Sequence, residues 1–217
     1  KHSKIIVACS QEDKRNFLKS YKIPAKKVLI VKSGYNKDIY NNPIDRDLAR
    51  EVLNIDKEKF VVIFHGSYYI NIANIEAVDI IRKKIAPNIK DNKIIFLIAG
   101  RMPNFKNQTN LKFLSFVEDL NIFLYAADVA IVPIFKGSGV RVKMIDYLSA
   151  RIPMITTKKA AEGLILKNDV HSLIIEGKNP VKEIIEKIFV LKSNPAKLVD
   201  FKQKIEILLR SKYYLLS

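Results

Sequence analysis

The stretch FKGSGVRVKMIDYL, residues 135–148, sets two glycines about a serine, then an arginine, a lysine and an aspartate. It follows the apolar run ADVAIVPI and carries an apolar pattern of its own at Val140, Met144, Ile145 and Leu148, so Gly137-Ser138-Gly139 reads as a strand-to-helix turn. Glycine at such a turn lets a ligand approach the backbone closely, and the free amides of a helix start favour phosphate. Arg141 and Lys143, one turn in, supply the matching positive charge. Ser138, Val142 and Asp146 are separated by four-residue steps and share one helix face, which puts Asp146 roughly 12 Å along the axis from Ser138. That spacing is close to the one between sugar and ribose across a nucleotide diphosphate, and a carboxylate can accept from both vicinal hydroxyls of a ribose. Taken singly, each residue is equally at home in a solvated turn or helix. The combination at a strand end is what points to a ligand.

The elements that must hold these residues are legible along the chain. FVVIFHG, KIIFLIAG, ADVAIVPI and IPMITT are continuous apolar runs of strand length, separated by the helix candidates NIANIEAVDIIRKKIA, FVEDLNIFLYAA and SGVRVKMIDYLSA. Strands of that kind are buried on both faces, as in a parallel sheet covered by helices. The first candidate helix has apolar positions at 72, 75, 78, 81 and 85. Residues 164–175 are expected to add short strands, and 180–192 and 195–215 to form amphipathic helices, the second opened by Pro195 after Asn194. Upstream, KIIVAC and KVLIVK flank a polar, helix-compatible stretch in which Phe17, Leu18 and Tyr21 share a face, giving a strand–helix–strand unit. The stretch SGYNKDIYNNPIDRD then reads as a linker, followed by a helix from about Asp45 to Leu53. The expected fold is α/β: a Rossmann-like, doubly wound parallel sheet from about residue 58 to 192, preceded by a βαβ fragment. Ligands in such sheets bind beyond the carboxyl ends of the strands, which selects the loops at 65–67, 100–101, 133–139 and 156–163.

Composition narrows the partners. With 217 residues and 48% apolar content the chain can bury a substantial core, and it holds no run of eighteen uncharged apolar residues and no secretory signal, so a soluble, cytoplasmic protein is expected. The absence of an initiating methionine suggests a piece of a longer protein, with tag removal or processing as the alternative. Cys9, the single cysteine, excludes an internal disulfide and reads as a small hydrophobe in a strand. The net charge of +16 asks for an anionic partner. Residues 1–37 hold ten lysines and arginines against Glu12 and Asp13, an excess of eight, so this segment could meet an anionic membrane surface or an acidic missing domain. His65 ends a buried strand and His171 lies in a polar connection; neither has a cysteine or carboxylate at metal spacing, and both read as structural.

The runs IFHGSYYINIANIEAV, IAGRMPN and FLSFVEDLNIFLYAADVAIVPIFKGSGVRVKMIDYLSARIPMITTKKAAEGL resemble the carboxyl-terminal, nucleotide-sugar-binding domain of the GT-B glycosyltransferases of family 4, group 1, over about residues 59–175. Residues 3–36 are similar to the end of the amino-terminal acceptor domain. The resemblance divides the chain into 1–40, the end of the acceptor domain and linker; 41–192, the nucleotide-sugar-binding domain; and 193–217, a C-terminal helix. It implies a metal-independent and retaining hexosyl transfer from a nucleotide-diphosphate sugar to a hydroxyl acceptor, with no cofactor and no metal site. Gly66 and Ser67 would face the diphosphate and the acceptor cleft, Arg141 and Lys143 would neutralise the diphosphate, and Asp146 would hold the ribose. The backbone around Phe116 and Val117 would read the base, while Ser138 and Gly139 would face the sugar, with Gly137 in the same turn. Where many relatives carry two glutamates eight positions apart, this sequence has Ser138 and Asp146; Glu162, in KKAAEGL, either compensates or is a solvated loop acid. The resemblance further implies that most of the acceptor domain is missing, so this chain would bind donor without transferring sugar.

A basic α/β module for nucleic acid is the alternative reading of the charge, though the resemblance implies no nucleic-acid partner. A dinucleotide-binding oxidoreductase is disfavoured, because no GxGxxG follows the first strand of either segment.

Overall fold

The computed structural model describes residues 3–137 and 139–213, and its first unit is the expected strand–helix–strand. Strands β1 (Ile6–Ala8) and β2 (Val28–Ile30) pair in parallel and are joined by helix α1 (Gln11–Tyr21). Ser10 caps α1, accepting from the Asp13 amide while donating its hydroxyl to the Asp13 carboxylate, so the helix start is fixed from both sides. Cys9 lies just past the end of β1 and is exposed, not buried in a strand, because the strand stops at Ala8 to let Ser10 open the helix.

Helices α2 (Lys37–Asn41) and α3 (Arg46–Val52) lead into the larger sheet. Ile39 on α2 belongs to the main core, and the Asn36 amide donates to Ser149 Oγ at 2.9 Å. The remaining elements are β3 (Phe60–His65), α4 (Ile72–Ile80), β4 (Ile94–Ala99), β5 (Leu111–Leu114), α5 (Leu120–Tyr125), β6 (Val129–Val132), α6 (Val142–Ser149), β7 (Met154–Thr157), β8 (Ser172–Ile175), α7 (Pro180–Lys192) and α8 (Pro195–Leu208). The six strands form one parallel sheet in the order β5-β4-β3-β6-β7-β8. The order reverses between β3 and β6. A doubly wound sheet opens a crevice at that point, beyond the carboxyl ends of the two strands.

The core follows the apolar runs: every residue of β4, β6 and β7 is buried, as are the first five of β3. Met144, Tyr147 and Leu148 of α6 pack into the same core as Ile184 and Ile188 of α7. At the opposite end of the strands from the crevice, the fully buried Arg50 donates to Asp128 at 2.7 Å and to the carbonyls of Lys57, Lys59 and Ala126. Asp128 also accepts from the Val61 amide at 2.7 Å, so one paired charge ties α3 to the starts of β3 and β6.

Four local expectations change. Strand β5 was not anticipated: it is a short edge strand, only partly buried beyond Leu111, and carries Lys112, so it lacks the long apolar run of its neighbours. The helix expected over 116–127 is confined to α5, because Asp119 caps it by accepting from the Asn121 amide. Segment 164–175 yields a single strand, β8. On α4 the buried stripe runs through Ala73, Ala77 and Val78, while Ile72 is largely exposed. The helix continues through a wider turn over Ile81–Ile85 whose ends, Ile81 and Ile85, are buried. Helix α7 spans the expected residues, and α8 continues into a final turn over Leu209–Tyr213.

Candidate functional site

The crevice is walled by the loop after β3, the loop after β6 and the first turns of α4 and α6. Ser138 lies outside the described residues. Its glycine neighbours have φ of 107° at Gly137 and 83° at Gly139, a left-handed backbone that cannot be continued into an α-helix. Helix α6 therefore begins at Val142, and Arg141 occupies the cap position with φ −85° and ψ 96° instead of standing one turn inside. The helical spacing of roughly 12 Å expected between positions 138 and 146 does not apply, because the helix starts at Val142; Asp146 stands one turn into it, roughly 6 Å from Val142 along the axis.

Gly66 is the floor of the site. A Cβ placed there would lie 2.5 Å from Lys143 Nζ and 3.0 Å from Asn74 Nδ2, and one at neighbouring Gly100 would lie 2.7 Å from the Gly66 carbonyl. Two side-chain-free positions thus let the loops after β3 and β4 close on each other and on Lys143. Lys143 donates to Asn74 Oδ1 at 2.6 Å, and its ammonium stands 4.1 Å from the centre of the Phe64 ring. Asn74 is itself fixed by donating to the Ser67 carbonyl at 2.9 Å. Burial, reinforced by the charge of Arg141, pulls the Lys143 ammonium down to about 7. Among the described residues no carboxylate pairs with it. A half-charged lysine in a crevice, held by an amide and a ring face, is a site short of an anion.

Arg141 reaches back over Gly137, donating to the Lys136 carbonyl at 3.3 Å; a Cβ on Gly137 would be 2.9 Å from its guanidinium. Burial lowers its pKa, and the carboxylates of Glu162 and then Asp13 pull the other way. Glu162 forms an ion pair with Lys159 at 2.7 Å, so it is a paired loop acid within electrostatic reach of Arg141. Val117 and the exposed Phe116 follow β5, at the rim two strands away from β3. Ser67 lies beside Gly66, its hydroxyl accepting from the Tyr69 amide.

Asp146 has a neighbour that sequence reasoning treated as structural. His65 Nε2 lies 3.4 Å from Asp146 Oδ2, and the His65 amide donates to Tyr147 Oη at 2.9 Å. The imidazole stands edge-on to Tyr147, ring centres 4.9 Å apart. Its pKa is lowered, first by burial, with Asp146 opposing and Lys143 adding to the effect, so the ring is neutral at pH 7. His65 and Asp146 are 81 positions apart and Asn74 and Lys143 are 69 apart; the only sequence signal for His65 is its place at the carboxyl end of a central strand. His171, by contrast, accepts the Lys167 amide within a turn, as a structural residue would.

The family model described as glycosyl transferases group 1 matches residues 59–194. Comparison with curated proteins found no match. Among solved structures, a glycosyltransferase from Rickettsia africae ESF-5 superposes with a TM-score of 0.78 at 17% identity, over 98% of this chain and 60% of that one. WaaG, a glycosyltransferase involved in lipopolysaccharide biosynthesis, gives 0.76 at 14% identity, over 96% of this chain and 60% of its own. Anabaena Alr3699/HepE, in complex with UDP and glucose, gives 0.74 at 14% identity, over 97% and 59%. The chain therefore spans about 60% of the length of these structures and shares the Rossmann-like architecture of GT-B carboxyl-terminal domains. With the family match covering well over half of the sequence, the chain belongs to the group 1 glycosyltransferases.

Proposed function

We propose that this chain is the donor-binding part of a transferase that moves a hexosyl group from a nucleotide-diphosphate sugar to a hydroxyl acceptor. The observation that carries the reading is Lys143: a partly buried ammonium with no acid partner among the described residues, at the carboxyl ends of the central strands, against a glycine floor. In this reading the diphosphate lies over Gly66, Ser67 and the Gly137–Gly139 turn and takes the charges of Lys143 and Arg141. The ribose reaches Asp146, the base lies toward Val117, and Glu162 sets the charge around Arg141. As the bond from the anomeric carbon to the phosphate oxygen breaks and one to the acceptor oxygen forms, negative charge grows on the leaving diphosphate. Lys143 and Arg141 are already in place to meet it, and the positioned charges act without a divalent ion or other cofactor. In a retaining course the acceptor attacks from the leaving-group side and its proton departs with the diphosphate. The UDP and glucose held by Anabaena HepE support a nucleotide sugar as the ligand.

The acceptor side is incomplete in this chain. Ile5, Val7, Leu29 and Val31 alternate along β1, β2 and their flanks and are between 50% and 59% exposed, an uncovered sheet face of the kind another layer of an acceptor domain would bury. Without that layer the chain would hold donor and not transfer sugar. The basic residues of 1–37 would place the assembled enzyme at an anionic, cytoplasmic membrane face. Thermal-shift titration with UDP, GDP, ADP and their sugars tests the reading. One of them should raise the melting temperature, and the Arg141→Ala plus Lys143→Ala protein should lose that response. No stabilisation by any of them, or an undiminished response in the double variant, would overturn it.

A further inference from the structure

We propose that His65 is a positioning residue, which fixes the Asp146 carboxylate for the hydroxyls of a bound ribose; this rests on the donor-binding reading above. An aspartate that accepts from two vicinal hydroxyls must present both oxygens in one orientation, and Asp146, on the second turn of a short helix, has a side chain only 14% exposed. His65 Nε2 is 3.4 Å from one of those oxygens. The histidine is in turn held at three points. Its amide donates to Tyr147 Oη, its ring meets the Tyr147 ring edge-on, and Phe123 lies 6.3 Å away on a perpendicular plane. Tyr147 is fully buried and adjacent to Asp146, so the carboxyl end of β3 and the body of α6 are tied twice across the point where the strand order reverses.

The polar atoms of His65 are otherwise poorly used. Among the described residues its Nδ1 is buried with no hydrogen-bond partner, a desolvation loss that a phenylalanine or leucine at this position would avoid. The ring is neutral, so one nitrogen carries the proton, and Asp146 is the acceptor in reach of Nε2. In this role the imidazole would present its Nε2 proton to the carboxylate 3.4 Å away and hold it toward the crevice, as supporting donors orient the acids of a binding site. Lys143, one turn earlier on α6, holds the same side of the crevice to α4 through Asn74, so the ribose position is set by a strand–helix tie and the diphosphate position by a helix–helix tie.

The test is calorimetric titration of wild type, His65→Phe, His65→Gln and Asp146→Ala with UDP, GDP and ADP and with their 2′,3′-dideoxy counterparts. For the diphosphate that binds best, wild type should prefer the ribose form by about tenfold, one hydroxyl-directed carboxylate's worth. His65→Phe should lose most of that preference, weakening the ribose form and leaving the dideoxy form unchanged. His65→Gln, which keeps an N–H donor, should recover it. A purely structural histidine would weaken both forms equally, and that result overturns the proposal. If His65→Phe fails to fold, His65→Met carries the same expectation. Loss of preference in Asp146→Ala with retention in both His65→Phe and His65→Met refutes the positioning role alone. Retention in Asp146→Ala refutes the ribose assignment while the donor reading stands. Wild type that binds none of the diphosphates refutes the donor reading and this inference with it.

Discussion

The lysine at position 143 makes nucleotide binding and protein stability respond to pH in opposite directions. With its ammonium drawn down to about 7 by burial, Lys143 is half protonated at pH 7 in the ligand-free protein. A diphosphate beside it favours the charged form, so binding takes up a proton wherever the free lysine is neutral. If the bound value returns to about 10.4, the ordinary lysine value, affinity should be about fifty-fold weaker at pH 9 than at pH 7. Between pH 6 and 7 it should change only about twofold, because the free lysine there goes from about nine-tenths to half charged. Folding has the contrary sign. Between about 7 and the unfolded value the unfolded chain binds a proton that the folded chain does not, so the stability of the ligand-free protein rises with pH across that window, and below it the cost of burying the charge is fully present. Calorimetry from pH 6 to 9 in two buffers of different ionisation enthalpy measures affinity and proton uptake together. About half a proton should be taken up at pH 7 and close to one at pH 8.5. Lys143→Met should bind weakly at every pH. Affinity that is flat from pH 7 to 9, with no proton uptake, would show that the diphosphate does not meet Lys143.

Two further perturbations separate the site from the scaffold. Arg50→Ala leaves Asp128 buried without its main partner at the far end of the strands, so it should cost about 3–5 kcal/mol in urea denaturation, with nucleotide affinity unchanged in the protein that remains folded. Gly66→Ala acts at the site: its methyl group lands 2.5 Å from Lys143 Nζ on a backbone with φ of 153°, so the ammonium must move, some stability is lost as well, and nucleotide affinity should fall about tenfold in the protein that remains folded. An unchanged affinity in Gly66→Ala would move the diphosphate away from the loop after β3.

The layer architecture was legible because the runs that become β3, β4, β6 and β7 are apolar throughout, and only a strand covered on both faces has that pattern. Strand β5 escaped notice for the converse reason. It lies at the edge, and Leu111 is the only one of its four residues that is fully buried, so burial left little trace in its composition. The glycines at 137 and 139 marked the loop after β6, yet their left-handed backbone, which delays α6 to Val142, is not written in residue type alone. A glycine in a helix start and a glycine that forbids one look the same in a sequence.

The site divides along the same line. Gly66, Arg141, Lys143 and Asp146 are found from local order, because each lies near a strand end and the carboxyl ends of a parallel sheet share one side. What sets their electrostatics is not local. Asn74 reaches Lys143 from the start of α4, and His65 reaches Asp146 from the last position of β3. Both contacts exist because the strand order reverses between β3 and β6, which brings the loop after the first strand of the sheet against the helix that follows the fourth. The same reversal that opens the crevice supplies the residues that tune it, so a change in either tie should be read first in ligand affinity and its pH dependence and only secondarily in the fold.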